Sequence, residues 1–122
     1  MSKFQQARIR TFTAESDLRL KKYFGLKIGA TAGGVDLAGA GDAEFILMNE
    51  PNIGDQAECA MIGGGAQVHS GAAIAYGDEL ASDAAGKIIP AVSTNKVIGI
   101  ALASASGADE YVEIERVRYV KA

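Results

Sequence analysis

The fold is predicted by the segment Ala73–Val120, which reads A-I-A-Y-G-D-E-L-A-S-D-A-A-G-K-I-I-P-A-V-S-T-N-K-V-I-G-I-A-L-A-S-A-S-G-A-D-E-Y-V-E-I-E-R-V-R-Y-V. Gly, Asp, Asn and Ser divide this segment into four short apolar runs: Ala73–Tyr76, Lys87–Val92, Val97–Ala103 and Tyr111–Val120. Runs of this length, with turn residues at this spacing, are typical of a small antiparallel β domain.

The last run shows the strand period most clearly. Val112 and Ile114 alternate with Tyr111 and Glu113, which places apolar residues on one face and acids on the other. The alternation slips at residues 115–117, so a β-bulge is expected there.

The segments before Ala73 extend the same β pattern. Glu44–Met48 is the densest apolar run and predicts a fully buried strand, and further strands are expected at residues 35–37 and 56–62. Residues 18–28 could form one helical turn or two strands, and strands are favoured. The 122 residues are enough for one modest core. We therefore predict a mainly β, single-domain antiparallel barrel or sandwich with short strands and Gly-rich turns. The expected core residues are Phe45, Ile46, Leu47, Val97, Ile98, Ile100, Val112 and Ile114.

Charge is distributed unevenly along the chain. Residues 1–27 carry seven bases against two acids, or +5, whereas residues 28–108 carry two bases against nine acids, or −7. This asymmetry predicts an extended N-terminal arm, residues 1–14, and a β domain, residues 15–122. The arm would dock on an acidic surface of its own body, of a neighbouring copy or of a partner, and the alternative is a frayed terminus. The acidic body disfavours nucleic acid as a partner. The expected contact residues of the arm, with either a partner or a neighbouring copy, are Lys3, Phe4, Arg8, Ile9, Arg10 and Phe12.

No pattern of catalytic or metal-binding residues is present in the sequence. Cys59 and His69 are the only thiol and the only imidazole, and their spacing supports no nucleophile–base pair. Gly86-Lys87 lacks the frame of a phosphate-binding loop. The adjacent acids at residues 78–79 and 109–110 are expected in solvated turns. We therefore predict no catalytic, cofactor or metal site, and no enzyme activity.

Two further features of the sequence bear on the cellular location of the protein. Its apolar runs fall short of the roughly 20 residues needed to span a bilayer, so no membrane association is expected. A lone cysteine excludes an intrachain disulfide, which fits synthesis in a reducing host cytoplasm.

The C-terminal half resembles the small decoration, or cement, proteins of tailed bacteriophages. In that family a Gly-Asp pair opens a strand, a Gly-Lys pair turns a hairpin, an Ile-Gly-Ile-Ala strand follows, and a Gly-containing turn precedes an alternating last strand. The matching positions are Gly77-Asp78, Gly86-Lys87, Ile98–Ala101 and Gly107–Ile114. The resemblance covers about the last 50 residues, and residues 22–62 more loosely.

The resemblance implies a structural virion protein on the outer surface of a phage capsid. Its partner would be the major capsid protein, whose lattice it would stabilise, and it would form a homo-oligomer, with a trimer favoured over a dimer. The alternative is a receptor- or glycan-binding virion module, such as a head fibre or a tail adhesin. Such a module stacks sugars on exposed aromatic rings, and a chain with four Tyr and no Trp has few rings suited to this.

Overall fold

The structure is a computed structural model that describes residues 8–122. These residues form ten strands: β1 (Arg8–Ala14), β2 (Gly25–Ile28), β3 (Gly34–Leu37), β4 (Phe45–Leu47), β5 (Gln56–Met61), β6 (Gly65–His69), β7 (Glu79–Ser82), β8 (Ile88–Pro90), β9 (Lys96–Ala101) and β10 (Tyr111–Val120). Within the described residues, no helix is long and apolar enough to cross a membrane.

The strands form two sheets. The first is a closed barrel in the order β1-β3-β2-β4-β5, and the second is a five-stranded sheet in the order β6-β10-β9-β7-β8. A bridge between Ser70 and Ile88 links the region after β6 to β8, at the opposite edge of the second sheet. All named strand pairs are antiparallel except β1 and β3. The prediction of a mainly β single-domain barrel is confirmed.

The position of β4 between two cores explains why its residues, Phe45–Leu47, are all apolar. Phe45 and Leu47 pack in the barrel interior, whereas Ile46 packs in a second core that joins the barrel wall to the second sheet. Ile46 pairs with Ala60 of β5 in that second core, and Leu47 pairs with Cys59 in the barrel core. Because successive side chains point to opposite faces, a strand between two cores needs apolar residues on both.

The predicted core is confirmed except at one position. Seven of the eight residues are buried, and Ile100 is only partly buried. Ile100 pairs with Glu79 and Glu115. Residues paired across adjacent strands share a face, so Ile100 lies on the same face as two carboxylates.

Two predicted strands are wrong, and the predicted bulge is confirmed. Ala73–Tyr76 forms no strand, only a single bridge between Ile74 and Ala105. Leu18 lies in a loop, where its N–H donates to the carbonyl of Pro51 at 2.9 Å and its side chain fills the barrel core. In β10 the pairing with β9 shifts register after Arg116, close to the predicted slip.

The N-terminal segment predicted as an arm is extended, but its described part is a strand of the barrel. Arg8–Ala14 runs antiparallel to β5, and Thr13 and Ala14 pair in parallel with β3. Removing these residues would therefore open the barrel rather than detach an arm. Lys3 and Phe4 lie outside the described residues.

A buried arginine holds the barrel against the second sheet. Arg116 of β10 is 2% exposed, and its guanidinium donates to the carbonyls of Ala60 at 3.2 Å and Glu44 at 2.8 Å on the barrel side. It also donates to the carbonyl of Ile98 in β9 and to that of Val117 at 3.0 Å. Burial lowers the pKa of Arg116 to about 10, which leaves it charged at neutral pH.

Gly25 is required where the barrel approaches β7 and β8. A Cβ at this position would lie 2.8 Å from the Cβ of Ala43 and 3.3 Å from that of Ser82. The Gly25 N–H donates at 2.8 Å to the carbonyl of Gly86, whose φ of +85° suits a residue without a side chain.

Candidate docking surface

Strand β1 brings together the described members of the predicted contact set. Arg8, Ile9 and Arg10 are exposed, and Ile9 has 51% of its surface accessible. Phe12 is partly buried because its ring packs on Phe45, with 4.9 Å between the ring centroids. The Arg10 guanidinium lies 5.6 Å from the centroid of the Phe12 ring. Phe12 is therefore an internal anchor, and the other three side chains are available at the surface.

The backbone of β1 has an open edge. Thr13 donates its N–H to Gly33 on the β3 side, whereas Ala14 donates to Asp55 on the β5 side. Because backbone groups alternate between the two edges of a strand, Ile9 and Thr11 direct their N–H and C=O away from β5. Within residues 8–122 no strand pairs with that side of Ile9 or Thr11, since β3 pairs only with Thr13 and Ala14.

The charges at this edge are unpaired within the described residues. Arg8 and Arg10 flank Ile9, and neither forms an ion pair within residues 8–122. Exposed backbone groups accept an added strand, and cations beside them attract acidic side chains. The β1 edge can therefore bind an extended, acidic segment of another chain.

The two residues with possible nucleophile–base chemistry lie apart. Cys59 is buried in the barrel core, where burial raises the pKa of its thiol to about 12. The nearest polar partner of its thiol is the carbonyl of Ala57, at 3.9 Å. His69 on β6 instead contacts Asp109, with Nε2 2.8 Å from Oδ1. Among residues 8–122, no group of three or more His, Cys, Asp or Glu side chains could hold a metal ion.

The adjacent acids predicted in solvated turns are held by specific partners. Lys87 and His69 both contact Asp109 Oδ1 at 2.8 Å and hold the pKa of that carboxyl below its ordinary value. Lys121, followed by Tyr119, lowers the pKa of Glu79 by hydrogen bonding. These carboxylates join neighbouring segments and are not arranged as an acid–base pair.

An aromatic cluster that the sequence did not predict joins the barrel to the second sheet. The rings of Tyr23 and Tyr111 meet edge to face, with centroids 5.3 Å apart and planes at 81°. The His69 ring packs on Phe24 at 4.8 Å and on Tyr111 at 5.7 Å. Tyr23 has a φ of 70°, and its carbonyl accepts the His69 N–H at 2.9 Å. The cluster thus packs the loop before β2 against β6 and β10.

These features describe a small β protein whose described residues present an open, basic strand edge. The chain belongs to the phage cement protein family, whose model matches residues 37–117. The predicted resemblance is thus confirmed. Family membership supports a structural, capsid-associated protein of the virion.

A solved structure shares the fold over nearly the whole chain. The head fiber gp8.5 N base of bacteriophage phi29 aligns with a TM-score of 0.71 at 20% sequence identity, covering 96% of this chain and 99% of that one. No curated protein matches the sequence. Strand β1 lies before the residues matched by the family model. Its edge is therefore a feature of this chain that the family match does not describe.

Proposed function

We propose that this protein binds the outer surface of a phage capsid through the β1 edge and stabilises the lattice of the major capsid protein. The observation that carries the proposal is the open backbone edge at Ile9 and Thr11, flanked by the exposed cations of Arg8 and Arg10. Family membership supplies the capsid as the surface on which such an edge would act.

The energetics of this edge favour many weak attachments over one strong attachment. Two residues offer four backbone groups, and each net hydrogen bond contributes about 0.5–1.5 kcal/mol, or about 2–6 kcal/mol per copy. Association costs about 4–15 kcal/mol in lost translational and rotational freedom. A single copy would therefore bind weakly. Linking several copies raises the effective affinity without new contacts, which supports a homo-oligomer. The resemblance to decoration proteins favours a trimer over a dimer.

Proline substitution tests the edge without disturbing the barrel. Thr11→Pro removes one N–H from the open edge but none of the bonds to β5, and proline is tolerated on strand edges. The matched control is Gln67→Pro on β6. The neighbouring His69 N–H points away from β10, so by alternation the Gln67 N–H also lies on an edge without a pairing strand in residues 8–122.

Binding of each full-length variant to bare capsids of the encoding phage is measured by co-sedimentation. Thr11→Pro should weaken occupancy about tenfold or more, because every copy loses a backbone bond. Gln67→Pro should bind within about twofold of the unmodified chain. Circular dichroism melting must first show that both variants are folded.

The possible outcomes distinguish the proposed contact surface, the β1 edge, from the proposed function, capsid binding. If the unmodified chain does not bind capsids, the capsid proposal fails. If it binds and Thr11→Pro binds equally well, only the β1 edge is refuted. Arg8→Gln with Arg10→Gln should also make binding less sensitive to salt, since exposed charges are screened by salt.

A further inference from the structure

A cleft of about 320 Å³ lies where the barrel meets the ends of β9 and β10, and β1 does not line it. Its lining residues are Ala43, Glu44, Lys96, Arg118, Tyr119 and Val120. Glu44 is the buried charged residue of the cleft, with 9% of its side chain exposed. Lys96 and Arg118 are about half exposed, at 46% and 53%. The cleft therefore combines an ordered interior carboxylate with two accessible cations.

The geometry of the ion cluster leaves positive charge in excess. Lys96 Nζ lies 2.6 Å from Oε2 of Glu44, and Arg118 Nη2 lies 2.5 Å from Oε1. One carboxylate cannot neutralise two cations. The guanidinium of Arg116, bonded to the carbonyl of Glu44, adds a third positive charge close by. Burial and then the charge of Arg118 lower the pKa of Arg116, whereas the Glu44 carboxylate raises it.

Both cations retain donors for a ligand. An ammonium has three N–H donors and a guanidinium has five. Within residues 8–122, the Lys96 ammonium forms one hydrogen bond, to Glu44, and Arg118 forms one ion pair, also with Glu44. Glu44 thus holds the two cations side by side while their remaining N–H groups stay available. A second carboxylate between Lys96 and Arg118 would match the two accessible cations of the cleft with two carboxylates.

The rim of the cleft indicates what kind of molecule carries that carboxylate. Val120 is 63% exposed and Tyr119 is 41% exposed, so the rim presents apolar surface beside the cations. The Tyr119 hydroxyl is hydrogen-bonded to Glu79 at 2.5 Å, which fixes the ring. A small free anion would use only the cations, whereas a peptide can place an acidic side chain between them and an apolar neighbour on the rim.

We propose that this cleft receives an Asp or Glu side chain from the polypeptide of a partner protein, with Lys96 and Arg118 as its ligands and Tyr119 and Val120 as the apolar contact. This site is separate from the β1 edge. It does not depend on the capsid proposal, because the ligand is defined by charge and shape alone.

Peptide titration of the ¹⁵N-labelled full chain tests this proposal by NMR. The probe is acetyl-Val-Glu-Val-amide, and the matched control peptide is acetyl-Val-Gln-Val-amide. The acidic peptide should give saturable shifts centred on the amides of Glu44, Lys96 and residues 118–120, and the neutral peptide should bind at least about tenfold more weakly. Equal binding of both peptides, or no shifts at the cleft, would overturn the proposal.

Two variants refine the test. Arg118→Gln and Lys96→Gln each leave one cation on Glu44, so an ion pair remains but the cleft loses one of its two accessible cations. Each should weaken binding of the acidic peptide about tenfold, whereas Lys27→Gln, at an exposed position on β2, should have no effect. If either cleft variant binds the acidic peptide as tightly as the unmodified chain, the assignment of Lys96 and Arg118 as its ligands is refuted. If one of the two variants fails to fold, the other variant decides the test. Acetate or inorganic phosphate that binds as tightly as the peptide would show an adventitious ion only.

Discussion

Replacing Arg116 with methionine tests how the two sheets are held together. Methionine has a similar length but no donor, so the carbonyls of Ala60 and Glu44 on the barrel side would lose a partner in a buried position. An unsatisfied buried acceptor costs about 1–3 kcal/mol, or about 2–6 kcal/mol for the two. Removing a buried guanidinium offsets part of this cost, because burying a charge is itself unfavourable.

We therefore expect Arg116→Met to lower the free energy of unfolding by about 2–4 kcal/mol, out of about 5–15 kcal/mol for a domain of this kind. The melting temperature should fall by about 6–20 °C. Arg116→Lys should lower the free energy of unfolding by a similar amount. The lysine ammonium is a single compact group, so it cannot donate to carbonyls of the barrel and of the second sheet at once, as the planar guanidinium does.

Thermal and urea unfolding followed by circular dichroism measure the effect. Arg19→Met is the control, since Arg19 forms an exposed ion pair with Asp17 and joins no sheets. An unchanged or raised melting temperature for Arg116→Met would refute the reasoning, because it would mean that the cost of burying the charge exceeds the value of its hydrogen bonds.

Two further predictions follow from titratable groups. The Cys59 thiol is buried, and burial raises its pKa to about 12. An alkylating reagent at pH 8 should therefore modify the unfolded chain and leave the native protein unmodified, which mass spectrometry can measure. Rapid labelling of the native protein would mean that the barrel opens readily. Lys87 and His69 lower the pKa of Asp109 below 3.8 in the folded state, so the unfolded state binds more protons as pH falls. The stability from this group is therefore present above pH 3.8 and is lost as pH falls through the folded pKa. Asp109→Asn should flatten the fall of melting temperature between about pH 5 and 2.5, and an unchanged pH profile would contradict this role.

The sequence alone determined most of the strands and the positions of the turns. The period-2 pattern of Val112 and Ile114 and the continuous apolar run Phe45–Leu47 record burial directly, since the strand period and the number of buried faces are local properties. Turn glycines such as Gly77 and Gly86 have positive φ, which few other residues adopt without strain. The order of these elements was also enough to indicate the family.

Only the tertiary structure decided which strands close the barrel and which charged residues are buried. The sequence predicts residues 1–14 as an arm because residues 1–27 carry a charge of +5 against an acidic body. The place of β1 in the barrel depends instead on β5, whose residues lie about 50 positions later in the chain. Arg116 carried no local sign of burial, and Glu44 is the one charged residue in the run Glu44–Met48 that predicts a buried strand. Both side chains find partners 18 to 72 residues away, and such long-range partners exist only once the two sheets have packed together.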